Sequence, residues 1–235
     1  MSSLIHDAGY CFLMTLRRML PLGSRHNVLP DAHNVRQRIR RLRRTSMNLE
    51  SIFHSLTGVW AIGEVVIALI TTTGWRQGKV RDRGTQIILW IVIIASFKAD
   101  EWMHAYLQVD MPGSHSWLPP IALWTLVIGL GIRAAAIVTL GRAFSANVAL
   151  RAGQTLNRGG LYSVVRHPSY LGLEIVFLAF ALHSRTWACL AVVLIPPTLA
   201  VLYRIHVEES ALRLAFGADY EDYSRCTKRL IPGIY

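Results

Sequence analysis

Charged residues are scarce in this chain: they form 17% of its 235 residues, whereas apolar residues form 52%. A soluble domain usually carries about 25% charged residues. This deficit, together with several long apolar stretches, argues against a disordered chain and against an ordinary soluble globule. Cysteine is also rare. Cys11, Cys189 and Cys226 are widely scattered, and an odd, scattered set does not form a disulfide framework or a metal or redox motif.

Acidic residues are few as well, since 14 Asp and Glu face 25 Lys and Arg, which gives a formal net charge of +11. A basic chain can indicate a nucleic-acid partner. Here most cations flank apolar segments, where Lys and Arg are attracted to anionic lipid headgroups. The densest run comprises Arg36, Arg38, Arg40, Arg41, Arg43 and Arg44. We therefore expect membrane lipid as a partner, and no nucleic acid.

Five apolar segments have the character of membrane-spanning helices, which need about 20 mostly apolar residues. They are Ile52–Thr73, Thr85–Leu107, Trp117–Leu140, Tyr170–Ser184 and Thr186–Tyr203. The sequence therefore predicts an all-α, multi-pass integral membrane protein with about five transmembrane helices. Residues 1–50 are expected to form a surface helix and an Arg-rich polar linker, residues 51–140 the first three spans, and residues 141–235 a catalytic region with the last two.

Ionisable residues and prolines lie inside some of these spans. A charge in hydrocarbon costs about 2.5–3.5 kcal/mol on insertion scales, so it normally faces the bundle interior. We expect Glu64, Glu101 and Arg133 to pair inside the bundle, to snorkel towards the surface or to face a cavity. The pair Pro196-Pro197 is expected to break or kink the last span, because proline has no N–H donor.

Two polar regions, residues 141–169 and Arg204–Tyr235, each follow an apolar segment. With five spans they lie on the same side of the membrane, and the positive-inside rule favours the cytoplasmic side for the catalytic region. The tail has aromatic residues at helical spacing and is expected to form a short helix that folds over the bundle as a lid. This arrangement predicts one site between the loop and the tail.

Four motifs occur in these regions. They are Leu140-Gly141-Arg142-Ala143-Phe144-Ser145, Gly160-x-Tyr162-x-x-x-Arg166-His167-Pro168-Ser169-Tyr170-x-Gly172, Arg204-x-x-x-Glu208-Glu209 and Phe216-Gly217-x-x-Tyr220-x-x-Tyr223. In their joint order and spacing, over roughly residues 117–235, they resemble the isoprenylcysteine carboxyl methyltransferase family, which is related to membrane phospholipid methyltransferases.

The resemblance implies a membrane enzyme that uses S-adenosylmethionine, with the C-terminal lid enclosing a cofactor pocket and with no metal. Carried over by position, the cofactor contacts fall on Asn147, Gln154, Thr155, Leu156, Asn157, Tyr162, His167, Pro168, Ser169, Tyr170 and Glu208. Arg204 and Glu208 are the expected catalytic pair, and Arg204 faces the substrate. The methyl acceptor is expected to be lipophilic and to arrive from the bilayer, as an isoprenylcysteine-type carboxylate or a related lipid amine or thiol.

The acid–base chemistry depends on that acceptor. A carboxylate needs alignment and exclusion of water rather than a base. An amine or alcohol must lose a proton, and Glu208, Glu209 or His206 would then serve. Two other functions stay open at this point: an NADPH-dependent membrane reductase resembling the sterol reductases, and a non-enzymatic scaffold or lipid-binding protein.

Overall fold

The computed structural model describes residues 32–72, 79–80, 84–106, 111, 114–141, 149–150 and 156–235. The chain divides into two compact units, residues 1–43 and 44–235. In the first unit, the described residues 32–43 are helical. The packing and the site described below lie in the second unit. The surface helix expected within residues 1–31 lies outside the described residues.

Six α-helices account for most of the described residues. They are α1 (Ala32–Thr72), α2 (Thr85–Tyr106), α3 (Ser114–Leu140), α4 (Pro168–Ser184), α5 (Trp187–Phe216) and α6 (Ala218–Cys226). Two two-residue strands, β1 (Lys79–Val80) and β2 (Ala149–Leu150), pair antiparallel. A single 3₁₀ turn, Gly160–Ser163, precedes α4. The all-α architecture predicted from the apolar segments is therefore the one observed.

Among the described residues, three helical segments are long and apolar enough to cross a bilayer: Asn48–Leu69, Trp117–Leu140 and Trp187–Phe216. Helix α4 is apolar but shorter. Large apolar side chains such as Val59, Ile62 and Trp124 are exposed on these spans, as expected of surfaces that face lipid. Three of the five predicted spans are thus supported by length and composition, and the other two stay predictions.

Helices α3 and α4 approach each other closely at two glycines, Gly129 on α3 and Gly172 on α4. A Cβ atom on Gly172 would lie 2.6 Å from the backbone nitrogen of Arg133, and one on Gly129 would lie 2.9 Å from the carbonyl oxygen of Gly172. Small residues let helix backbones approach in this way. The contact sets Arg133 against the first turn of α4, where the site begins.

Two expectations about the helices are corrected by the structure. The polar linker predicted for residues 21–50 is helical from Ala32 onward, within helix α1. Arg, Gln and Leu are strong helix formers, which explains why a polar composition did not mean a loop. Of the break or kink expected at Pro196-Pro197, the break is wrong, since helix α5 is continuous from Trp187 to Phe216. The two prolines remove only two donors, and Pro197 is buried.

Candidate functional site

The loop before α4 is fastened to the C-terminal tail by its backbone. Arg166 N donates to the carbonyl of Lys228 at 2.7 Å, and His167 N donates to that of Arg229 at 3.0 Å. Lys228 N returns a bond to the carbonyl of Val164 at 3.3 Å. Pro168 then opens α4 at its first position, where the missing N–H has no helical partner to lose. The Arg-His-Pro segment is therefore held at the mouth of α4 by residues some 60 positions later.

Glu209 on α5 reinforces this junction. Its side chain is 2% exposed and accepts from Arg166 Nε at 3.0 Å and from Arg229 Nε at 3.0 Å. Arg166 bonds to Oε1, whereas both Arg229 nitrogens face Oε2, from which Arg229 Nη2 lies 2.9 Å away. Arg166 also donates to the backbone carbonyl of Ser224 at 2.9 Å. A buried carboxylate with two arginine partners locks the loop, α5 and the tail into one arrangement.

Tyr170 joins the two residues of the Arg204-x-x-x-Glu208 motif. Its hydroxyl accepts from Arg204 Nε at 2.6 Å and donates to Glu208 Oε2 at 3.0 Å. Arg204 is 2% exposed and also donates to Thr85 Oγ1 on α2 at 2.9 Å. The two residues expected as a catalytic pair are therefore joined through this phenol. The side chain of Glu208, by contrast, keeps 31% exposure, so its carboxylate is accessible from the outside.

His167 places a buried imidazole between the two glutamates, with Nδ1 towards Glu208 and Nε2 towards Glu209. Its side chain is 4% exposed, its Nδ1 lies 4.0 Å from Glu208 Oε2, and its Nε2 lies 3.6 Å from Glu209 Oε1. Nε2 is buried and has no hydrogen-bond partner among the described residues. The centre of the His167 imidazole lies 5.7 Å from the centre of the Tyr170 phenol ring. Such a buried, unpartnered nitrogen is uncommon, because burial without a hydrogen bond is costly.

Tyr162 connects the 3₁₀ turn to α6. Its ring is buried, and its carbonyl accepts from the Tyr223 hydroxyl at 2.7 Å. Burial raises the pKa of Tyr223 to about 12, so that hydroxyl stays protonated and can donate at neutral pH. Arg158 donates to the carbonyl of Asp219 at 2.8 Å, at the start of the same helix. These contacts hold the tail against the residues that precede α4.

Ser169 is occupied by a buried ion pair rather than left free. Its Oγ accepts from Arg133 Nη1 at 2.9 Å, and its carbonyl accepts from the same atom at 3.1 Å. Arg133 Nη2 also donates to Glu64 Oε2 at 2.6 Å, and Trp60 Nε1 donates to Glu64 Oε1 at 3.0 Å. Of the three ionisable residues expected to pair or snorkel, Glu64 and Arg133 pair inside the bundle. The third, Glu101, lies at the surface and pairs with Lys98.

The remaining predicted cofactor contacts fall into two groups. Asn157 donates through Nδ2 to the carbonyl of Thr139 at 3.1 Å, and its Oδ1 accepts from Gly159 N at 2.9 Å; Leu156 precedes it and is half-buried. Asn147, Gln154 and Thr155 lie outside the described residues. The structure thus brings His167, Tyr170, Arg204 and Glu208 together, while the residues of the preceding loop stay predictions.

Sequence reasoning missed Glu209, Arg166 and Arg229 as one cluster. Glu209 was considered only as a base for an amine acceptor, yet its carboxylate is saturated by cations. The sequence held one usable signal: Glu208 and Glu209 are adjacent, so on a helix their side chains point about 100° apart and meet different surroundings. Within the described residues, no group of three or more His, Cys, Asp or Glu has the geometry of a metal site.

Residues 121–214 match the model of the isoprenylcysteine carboxyl methyltransferase family. A protein-S-isoprenylcysteine O-methyltransferase B of Arabidopsis thaliana is 30% identical over 132 residues, which covers 53% of this chain and 65% of that protein. A methanethiol S-methyltransferase 2 of Bradyrhizobium diazoefficiens is 32% identical over 83 residues, which covers 35% of this chain and 31% of that protein. The chain thus spans less than two thirds of the length of these relatives.

A solved structure of a eukaryotic intramembrane Ras methyltransferase, an isoprenylcysteine carboxyl methyltransferase, has the same fold. It matches with a TM-score of 0.60 and 22% identity over 80% of this chain and 68% of that one. The resemblance to the isoprenylcysteine carboxyl methyltransferase family that the motifs predict is therefore confirmed. Together with the three apolar helices, it makes the chain an integral membrane protein.

Proposed function

We propose that the chain is an integral membrane methyltransferase that moves a methyl group from S-adenosylmethionine to a lipophilic acceptor drawn from the bilayer. The observation that carries the proposal is the cluster of His167, Tyr170, Arg204 and Glu208 at the junction of an apolar helix bundle and a polar tail. Polar, partly unsatisfied side chains there serve a water-borne cofactor, and the adjoining apolar helices serve a lipid.

The donor set fits that cofactor. The partly exposed carboxylate of Glu208 suits an ammonium or ribose hydroxyl, and the Nδ1 atom of His167, 4.0 Å from Glu208 Oε2, suits a polar edge. Ring faces such as that of Tyr170 attract a cation by about 0.5–2 kcal/mol. When bound, S-adenosylmethionine would supply an electrophilic methyl group on a sulfonium. The other cofactor contacts that the motifs predict remain part of the proposal. They are Asn147, Gln154, Thr155, Leu156, Asn157, Tyr162, Pro168 and Ser169.

The chain's own residues would contribute alignment and exclusion of water. Arg204 is fixed by Thr85 and Tyr170, so its guanidinium is preorganised to hold an anionic acceptor without further ordering. The tail, tied through Glu209 and Tyr223, is the proposed lid that shields the site. Glu208 would take the proton from an amine acceptor, because its carboxylate is accessible whereas that of its neighbour Glu209 is buried.

The acceptor class follows from the relatives only in outline. Some are named for an isoprenylcysteine and one for methanethiol, so we propose a lipid carboxylate, amine or thiol. We propose that the catalytic side faces the cytoplasm, because the positive-inside rule favours that side for the basic loops of the predicted five-span arrangement.

Titration calorimetry of the purified protein with S-adenosylhomocysteine tests the cofactor assignment. We expect binding in detergent, and a loss of about ten- to a hundredfold in affinity for His167→Ala and for Glu208→Ala, as is typical when a hydrogen bond to a charged group is removed. The matched controls are His104→Ala and Glu221→Ala, whose side chains are exposed. Absence of binding by the folded wild-type protein would overturn the proposal.

Methyl transfer is then measured directly. Tritiated S-adenosylmethionine is incubated with the protein and total membrane lipids, and the labelled product is identified. A parallel assay follows NADPH absorbance with a sterol substrate. Consumption of NADPH without labelled lipid would favour the reductase alternative, and labelled lipid without NADPH consumption would support the methyltransferase.

A further inference from the structure

A second polar position lies in the apolar contact between α4 and α5, deeper than the site already described. Glu174 on α4 accepts from Thr198 Oγ1 on α5 at 2.7 Å through Oε2. The other oxygen, Oε1, is buried and has no hydrogen-bond partner among the described residues. None of the motifs discussed above includes this pair. We call the contact of Glu174 with Thr198 the α4–α5 seam.

An acidic residue in this place is costly unless it has a use. Helix α4 is otherwise apolar apart from its ends, and an acidic side chain inside a membrane span disfavours insertion by about 2.5–3.5 kcal/mol. Glutamine or leucine would pack in the same volume at less cost. Ionisable residues within a span commonly mark a substrate or ion pathway for this reason.

The seam also has more hydrogen-bond acceptors than donors. Glu174 brings two carboxylate oxygens, and the residues directly before Thr198, Pro196 and Pro197, have no N–H to offer. Thr198, directly after the prolines, supplies one hydroxyl, and Glu174 Oε2 already accepts it. A group entering the seam would therefore be bound best if it donates hydrogen bonds.

The seam is aligned with the proposed acceptor path. Glu174 follows Tyr170 by four residues, so both lie on one face of α4, about 6 Å apart along the axis. Thr198 precedes Arg204 by six residues, which is about 9 Å along α5. A hydrocarbon chain whose reacting end lies at Tyr170 and Arg204, and which leaves between α4 and α5, passes the seam within that distance.

We propose that the α4–α5 seam binds a hydroxyl or ammonium group carried on the chain of the methyl acceptor, about 6–9 Å from the methylated end. The inference rests on the proposed function, because it uses Arg204 as the anchor of that end. It narrows the acceptor to a lipid with a second, hydrogen-bond-donating group, as distinct from an unsubstituted prenyl chain.

The test measures binding of three lipids to the full chain saturated with S-adenosylhomocysteine: palmitate, palmitate hydroxylated near the middle of its chain, and the corresponding amino-palmitate. We expect one of the substituted lipids to bind about tenfold more tightly than palmitate, as one added buried hydrogen bond predicts. A preference for the hydroxyl or for the ammonium identifies the group. Equal affinity for all three, or no binding of any of them, overturns the inference.

Variants separate the seam from the rest of the site. Glu174→Leu should abolish the preference and leave the dissociation constant of palmitate within about twofold, since only one hydrogen-bonding group is removed. Thr198→Val should weaken the preference, whereas Thr125→Val should not, because the Thr125 hydroxyl is exposed and bonds to its own helix. A preference that survives Glu174→Leu contradicts the inference. Failure to bind S-adenosylhomocysteine contradicts the proposed function instead.

Discussion

Glu64 and Arg133 are 69 residues apart in the sequence and form a buried, two-point ion pair, with Arg133 Nη2 donating to Glu64 Oε2 at 2.6 Å. The pair links α1 to α3, and through Ser169 it reaches α4. Three helices therefore share one charge network next to the mouth of the proposed site. Its members are more interdependent than surface pairs, because burial leaves any unpaired charge without water.

Removing one member of this network should be costly. Arg133→Met is expected to lower the free energy of unfolding by about 3–5 kcal/mol, because it leaves Glu64 buried without its partner. The double variant Glu64→Leu with Arg133→Met should recover most of that loss. Unfolding in detergent measures both. Lys98→Met, which removes an exposed ion pair with Glu101, is the control and should change little; a double variant as unstable as the single one would contradict the argument.

The close approach of α3 and α4 predicts a strong position effect among the glycines. Gly172→Ala should destabilise the protein by about 1–3 kcal/mol, since the new methyl group has no room against the Arg133 nitrogen at 2.6 Å. The control is Gly131→Ala on α3, the helix that also carries Arg133. A Cβ atom at Gly131 would have no other atom within 4 Å, so this variant should be neutral or slightly stabilising. The unfolding temperatures of the two variants, measured under the same conditions, test this difference. Similar unfolding temperatures would show that α3 and α4 separate easily to make room for the methyl group.

Tyr170→Phe should separate catalysis from folding. The substitution removes the hydroxyl that joins Arg204 to Glu208, while Arg204 keeps its bond to Thr85. We expect kcat/KM to fall about ten- to a hundredfold, with stability lowered by about 1–2 kcal/mol. Assays well below the unfolding temperature measure this. Tyr203→Phe, at an exposed tyrosine of the same bundle, is the control, and an equal loss in both variants would rule out a specific role for the bridge.

Glu209→Gln should loosen the tail. It replaces the carboxylate that holds Arg166 and Arg229, so the backbone bonds between residues 166–167 and 228–229 lose their support. Hydrogen exchange of the amides of residues 164–167 and 228–231 should speed up by about tenfold or more. Asp222→Asn removes a surface pair with Arg225 and should leave these amides unchanged. Protected amides in the Glu209 variant would show that the backbone bonds suffice alone.

Much of the fold was accessible from the sequence because the apolar segments are long and contiguous. Their positions predicted α1 to α5, and the motif order predicted which polar regions meet. The ends of the helices were less accessible. Residues 32–50 are polar yet helical, since helix propensity does not depend on apolarity. Pro196-Pro197 lies inside a continuous helix, because the other backbone hydrogen bonds of this 30-residue helix remain when the prolines remove two donors.

The site was predictable at the level of residues and not of contacts. His167, Tyr170, Arg204 and Glu208 were all named from the motifs, and the structure brings them together. The hydrogen-bond partners of these four residues were not predicted. A bond such as that from Arg204 to Thr85 joins residues 119 positions apart and depends on the angle between the helices. The same applies to Glu174, whose partner Thr198 lies 24 residues away.

The parallel pairing of Val165 with Lys228 has a consequence for biogenesis. The amides at the head of α4 find their acceptors only in residues that leave the ribosome some 60 residues later. Membrane insertion of α4 and α5 must therefore finish, and the chain must turn back, before those amides are satisfied. We expect the nascent protein to pass through an inserted but immature stage with this loop open to water, which ends once residues 228–229 are available to pair with it.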